Sequence, residues 1–283
     1  VIHYDRPNEP PGFATDATRL AAAKAVRDKV VARQALASAD FEDAWSRYKI
    51  TFSDAQGRGK CGYCEARVTA SAPGDVEHYR PKSELKEALA QGKRRPPPKR
   101  RDRTRKFGTP QKPGFWWLAY TWNNWLFACT HCNSAWKGNQ FPVDGARPAM
   151  VEGCEANDKP LLLNPFDDPS PEARFRYFGD GEVEGRDDHA RATIEVCGLD
   201  RWDLVDERGR VAQSLLRTLA DFPVAVAEGS AAFQKSVLRR LAEACRAEAQ
   251  FAGMCRSLVD AAPELGGLTA NDILALDAQG KLS

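Results

Sequence analysis

Two Cys-x-x-Cys pairs, Cys61-Gly62-Tyr63-Cys64 and Cys129-Thr130-His131-Cys132, offer four thiolates, the ligand count of a closed tetrahedral zinc site. A site of this kind contributes on the order of 10 kcal/mol or more of folding free energy. Cys61, Cys64, Cys129 and Cys132 are therefore expected to hold a structural Zn²⁺ and to set the local fold. His131, inside the second pair, is left out because four thiolates already close the sphere. The pairs stand 64 residues apart, well beyond the roughly 15 to 20 of a zinc ribbon, so something substantial is inserted between the knuckles.

The insert has a chemistry of its own. Glu77-His78 sets an oxygen donor suited to Mg²⁺ or Mn²⁺ beside an imidazole whose ordinary pKa of about 6.5 suits a general base near neutrality. On a strand the two side chains point to opposite faces, so a bend is needed to bring both to one site, and Pro81 is placed to supply it. Asn133 directly follows Cys132, so whatever fixes the knuckle also fixes its amide oxygen, a second hard donor. Arg80 and Lys82 flank the base and Lys137 lies just past the second knuckle, where cations meet phosphates; ordinary solvated cations explain them equally well.

The elements that must position these residues can be read in outline. With 283 residues, 42% of them hydrophobic, the chain has length and apolar content for ordinary packed cores. Apolar spacing predicts a helix over residues 16–36 and a shorter one from Asp40 through Tyr48, together an N-terminal helical region over 1–60. Residues 61–150 carry the cysteines, with a polar, Pro-stiffened surface loop at 84–114. Residues 151–283 are read as mostly helical: a short strand at 161–163, a hairpin turning at 179–181, and apolar stripes over 193–199, 203–221 and 230–261. The cluster Phe115, Trp116, Trp117, Tyr120, Trp122 and Trp125 is expected in the core. Asp167 and Asp168 fit a turn as well as they fit a second metal site.

Charge is uneven. The formal net charge is only +2, yet residues 93–106 carry nine Lys and Arg against one Asp, which favours a polyanionic partner there through counterion release, with Arg100 and Arg101 as candidate contacts. No run approaches the roughly 18 apolar residues of a membrane span and the first residues lack a signal-peptide pattern, so a cytoplasmic protein without membrane contact is expected. In such a reducing compartment the four single cysteines, Cys154, Cys197, Cys245 and Cys255, read as core residues.

Cys-x-x-Cys, then Glu77-His78-x-x-Pro81, then Asn124 and Cys-x-x-Cys-Asn133 resemble the HNH endonuclease family, with its ββα-metal (His-Me finger) core, in a zinc-bearing form. The resemblance implies His78 as general base, Glu77 and Asn133 as ligands of a catalytic Mg²⁺ or Mn²⁺, and Asn124 as the residue that holds the loop and orients the histidine. The sequence departs from the family in having Glu77 where Asp is commoner, Asn133 where His is often found, and the basic insertion. Residues 76–82, 117–120, 132–133 followed by 137–142, 161–165, and 192–194 with 198–199 further resemble the HNH subunits of bacterial anti-phage systems of the Septu type and of related retron-linked systems. That implies an α+β protein whose zinc-stapled core lies between helical flanks. Its activity would be phosphodiester hydrolysis of nucleic acid, DNA favoured over RNA, beside an ABC-type ATPase. Two alternatives stand beside it: a zinc-dependent binding or assembly subunit with a vestigial nuclease site, and a stand-alone restriction- or homing-type nuclease.

Overall fold

The computed structural model describes residues 1–68, 73–86, 109 and 111–282. Most of the expected basic loop, including Arg100 and Arg101, lies outside them. The described residues form helices and two small two-stranded sheets.

The first helix, α1 (Ala17–Val31), starts where the Asp16 carboxylate accepts the Arg19 amide at 3.1 Å, which satisfies one of the first-turn donors. It stops short of the expected residue 36, and Arg33 then takes a positive φ of 56°. No α-helix begins at Asp40. Asp43 accepts the amides of Trp45 and Ser46 instead, holding Ser46–Tyr48 as a 3-10 turn and delaying α2 to Lys49–Ala55.

Strand β1 (Gly74–His78) pairs antiparallel with β2 (Trp125–Cys129), Gly74 opposite Cys129 and His78 opposite Trp125. Every residue of β2 is buried, because it is covered along its edge as well as on its faces. Gln56, just past α2, donates to the Phe127 carbonyl at 2.7 Å and accepts the Phe127 amide at 2.7 Å. A buried side-chain amide thus takes the hydrogen bonds a third strand would make. A π-wound helix, His131–Lys137, follows.

Beyond it, the expected strand at 161–163 shrinks to an isolated bridge between Val143 and Pro160, flanked by bonds from the Leu161 amide to Pro142 and from the Asp144 amide to Lys159. Pro160 and Pro165 have no N–H to give a ladder. The hairpin of β3 (Phe175–Tyr177) and β4 (Val183–Gly185) forms as predicted. Helix α3 (Asp188–Cys197) starts earlier than residue 193 because Asp187 caps it by accepting the Ala190 amide, and α4 runs Trp202–Ala227. The single helix expected over 230–261 is two, α5 (Ala231–Cys245) and α6 (Ala252–Asp260), broken where Phe251 takes a φ of 56°. A last helix, α7 (Ala270–Ala278), opens on a Thr269–Asp272 capping box that the apolar pattern did not announce.

One apolar cluster joins these regions, from Phe52 through Trp125 and Leu162 to Leu215 and Ile273. The expected aromatic group lies in it except for Trp117, which is partly buried against it; Trp122 and Trp125 pack on Phe13 and Phe52, and the four single cysteines are buried and free. No described helix is long and apolar enough to cross a membrane.

Candidate metal centre and active site

The zinc-ligand expectation starts from two short pieces of backbone. Cys61–Cys64 is a knuckle closed by the Cys61 amide on Ala66 and the Glu65 amide on Cys61, and the Gly62 amide docks it on the Phe127 carbonyl at 2.9 Å. Gly62 has no room for a side chain: a Cβ would lie 2.5 Å from Gln56 Nε2. Cys129 closes β2 and Cys132 sits in the first turn of the π helix. All four ligand sulfurs lie within 4.8 Å of one another and are buried. Zn–S bonds of about 2.3 Å in a tetrahedron separate their sulfurs by about 3.8 Å, and Cys64 Sγ stands 3.8 Å from Cys129 Sγ. The four cysteines therefore form a group that could hold a metal, and their chemistry fits Zn²⁺. His131 is exposed and faces Asp203 instead.

Sequence reasoning missed the cation behind this cluster. Arg201, buried at the start of α4, donates to Cys132 Sγ at 3.6 Å and to the Gly198 carbonyl at 3.0 Å. Burial works against its charge, but the sulfurs of Cys132, Cys64 and Cys129 outweigh burial and raise its pKa above the ordinary range. Gly198, at φ +60°, lets the Trp136 ring lie where a Cβ would meet it at 2.1 Å. So the C-terminal helices press directly on the knuckle.

His78 occupies the other end of the strand pair. Its Nε2 lies 2.8 Å from the Ala119 carbonyl oxygen; a carbonyl only accepts, so Nε2 carries the proton and Nδ1 the lone pair. Trp125 Nε1–H donates to the same oxygen at 3.0 Å, and its 3.2 Å approach to Nε2 is then a contact between two donors sharing one acceptor. Trp45 meets the imidazole edge-on at 4.6 Å. Burial first, then the charge of Lys82, hold the His78 pKa well below its ordinary 6.5 despite the bond to Ala119. The ring is a neutral base. Lys82, half-exposed over the Trp45 ring at 4.2 Å, brings Nζ to 3.3 Å from His78 Nδ1. Burial foremost, against the pull of Glu77, lowers the Lys82 pKa to about 8.

Glu77, one residue earlier, faces elsewhere. Its Oε1 is in direct contact with the ammonium of Lys137, and Lys137 Nζ also donates to the His78 carbonyl at 2.9 Å. The carboxylate is 5% exposed and the lysine 1%. The ammonium compensates the charge, yet Oε1 receives no well-formed hydrogen bond. Asn133 is half-exposed, its carbonyl accepting the Gly138 amide at 2.7 Å; among the described residues no polar contact joins its side chain to Glu77.

Asn124 is stapled into the loop that follows β1. Its Oδ1 accepts the Arg80 amide at 2.8 Å, and its Nδ2 donates to the carbonyls of Arg80 at 3.0 Å and Leu118 at 3.1 Å. With both amide ends engaged it can hold the loop between His78 and Pro81 and has little left to offer a metal. Arg80 itself turns inward, its guanidinium forked on the buried Asp158 carboxylate at 2.7 and 3.2 Å among Tyr79, Phe115 and Phe141. Of the three candidate phosphate contacts that are described, Lys82 alone keeps partial exposure without an ion pair among the described residues. Asp167 and Asp168 form a turn with Asn164, whose Oδ1 and Nδ2 serve Phe166 and Asp167, which is the simpler of the two expectations.

No family model matches the chain. It is 34% identical over 159 residues to the Septu protein PtuB of Bacillus mycoides (strain KBAB4), a stretch covering 56% of this chain and 48% of that one. It is also 29% identical over 155 residues to the Septu protein PtuA of the same strain, covering 54% of this chain and 19% of that protein. The chain thus spans about half the length of the first relative and about a fifth of the second.

Proposed function

We propose that the protein is an HNH-type endonuclease of a Septu-like anti-phage system, with β1, β2 and the π helix as its ββα core. The observation that carries this reading is His78: a neutral imidazole with Nε2–H anchored on the Ala119 carbonyl and Nδ1 turned to the half-exposed Lys82. Such a base accepts a proton from water while its other nitrogen is held, and the carbonyl stabilises the imidazolium that forms. Water attacks phosphorus, its proton passes to Nδ1, a P–O bond forms and the bond to the leaving oxygen breaks. Lys82 must leave Nδ1 for this to happen, and a phosphodiester anion is the partner that draws its ammonium away. The zinc knuckle and Asn124 keep strand and loop in place, and the basic segment with Arg100 and Arg101 adds affinity for nucleic acid, DNA before RNA.

The resemblance also implies a catalytic Mg²⁺ or Mn²⁺ on Glu77 and Asn133. The folded arrangement does not fit one: the Glu77 carboxylate is taken by the Lys137 ammonium. The four cysteines are the one group of three or more His, Cys, Asp or Glu that converges among the described residues.

The likeness to two Septu proteins supports a multi-subunit defence complex, and the resemblance to HNH subunits of such systems implies an ABC-type ATPase as the partner, in a bacterial cytoplasm. The two lysines set on the base and on the carboxylate favour a second reading, a binding or assembly subunit that does not hydrolyse. Plasmid DNA and total RNA incubated with the protein, with and without divalent ions and any co-purifying partner, separate the two. Cleavage should fall by about 10² to 10⁴ in His78→Ala, and likewise in His78→Gln, whose amide N–H can still reach Ala119. Undiminished cleavage by pure His78→Ala would sink the nuclease assignment, and binding without cleavage under every condition would leave the second reading.

A further inference from the structure

We infer that Lys137 is the resident cation of the Glu77 site, and that its ammonium and a divalent ion exclude one another there. The inference concerns the site on which the nuclease reading rests, but it follows from the ion pair whatever the substrate is. A carboxylate 5% exposed cannot stay ionised without a cation close by, and the chain supplies one from its own π helix. That helix is fixed at its start by Cys132 and at its end by the Gly138 amide on the Asn133 carbonyl at 2.7 Å. The zinc knuckle therefore determines where the Lys137 ammonium comes to rest. Nζ is held twice, by the Glu77 carboxylate and by the His78 carbonyl at 2.9 Å, so it also ties the backbone of the proposed base to the helix.

The pair is compensated in charge but incomplete in bonding. Glu77 Oε1, buried, receives no well-directed hydrogen bond, and an oxygen of that kind is what a hard divalent ion seeks. The ion would have to bring its second charge to within ligand distance of a fixed ammonium. That repulsion, together with the water the ion would have to shed and the ion pair it would have to displace, offsets what a single carboxylate offers. Removing the ammonium reverses the balance, since Glu77 is left buried without its cation and must then either take up a proton or recruit another cation such as a metal.

Mn²⁺ alone tests this on the zinc-loaded full chain, by calorimetric titration and by melting with and without the ion. The wild type should show no Mn²⁺ site that distinguishes it from Lys137→Met/Glu77→Gln, in which both charges are removed together so that neither is left buried alone. Lys137→Met should melt several degrees lower, regain part of that loss in millimolar Mn²⁺, and bind Mn²⁺ at least tenfold more tightly than the wild type. The gain should vanish in the double variant. A Mn²⁺ site on the wild type that the double variant lacks would overturn the inference, and so would a folded Lys137→Met with no new site. Should Lys137→Met not fold, the wild type and the double variant decide alone. Cleavage enters none of these readouts, so the nuclease reading can fail while this stands, or the reverse.

Discussion

The strand pair β1/β2 has two ends, about 14 Å apart for five residues, and they are built on opposite principles. At one, Gly74 faces Cys129 and four sulfurs converge; at the other, His78 faces Trp125 and a neutral ring meets a lysine. The sulfur end gathers negative charge and is answered by a buried arginine. The histidine end keeps its ring uncharged by burial and sets cations beside it. The proposed zinc site is closed on all sides, whereas the proposed base keeps one atom, Nδ1, beneath a single lysine, Lys82. Rigidity at the first end gives the second its geometry, because the π helix that carries Cys132 in its first turn ends on Lys137, whose ammonium donates to the His78 carbonyl.

The largest expected effect breaks the sulfur end. Stripping zinc with a chelator, or replacing Cys132 by Ser, removes part of a contribution on the order of 10 kcal/mol, comparable with the whole stability of a domain. Loss of the far-ultraviolet helical signal on chelation, restored by added Zn²⁺, is the expected observation. A chain that stays folded and melts unchanged without zinc would show that the two ends are independent. His78→Ala at the other end should act chiefly on rate.

A smaller effect sharpens the contrast in charge. Arg201 touches Cys132 Sγ, donates to Gly198 and Cys197 carbonyls, and belongs to no ligand set. Groups that hydrogen-bond to ligands in this way tune metal affinity by about 10- to 100-fold. Arg201→Gln should weaken zinc by that factor in a competition titration with a chromogenic chelator, while leaving the His78 end unaltered until zinc is lost. Equal zinc affinity in the two proteins would mean that the arginine serves only the packing of α4.

What could be read in the sequence follows the same division. The four cysteines were legible because thiolate pairs at that spacing have few other uses, and the hairpin at 179–181 because glycines mark the turn. Glu77, His78, Asn124 and Asn133 could be named as a candidate set through likeness to a motif, but the bonds each of them makes could not. Lys137 reads as a surface cation and is fully buried; Arg80 reads as a phosphate contact and is forked on Asp158. Neither partner could be inferred, since 60 and 78 positions separate Lys137 from Glu77 and Arg80 from Asp158 along the chain and pairing at that range is set by the fold. The break at Phe251 was hidden for a related reason: the apolar stripe runs through it, and only a left-handed backbone at an apolar residue shows that two helices meet there.

The smallest effect tests the neutrality of the histidine end directly. His78 titrates well below 6.5 in the folded protein because it is buried beside Lys82, whereas in the unfolded chain it titrates near 6.5. Between those two values the unfolded state binds the extra proton, so stability rises with pH across that window and is lost as pH falls through it. Above about pH 6.5 both states are neutral and the contribution is constant. The slope that one such group adds is at most about 1.4 kcal/mol per pH unit, seen as a melting temperature that climbs from acid toward neutrality and then levels. His78→Gln cannot titrate but still offers an N–H to Ala119, so its slope below pH 6.5 should be shallower by that one proton, while the acid release of zinc, common to both proteins, cancels in the difference. Parallel curves for the two proteins would mean that His78 is protonated as readily in the fold as outside it. A ring that titrates near 6.5 is still mostly neutral at pH 7, but burial would then not be what keeps it so, and the difference between the two ends of the sheet would have to be sought elsewhere than in charge.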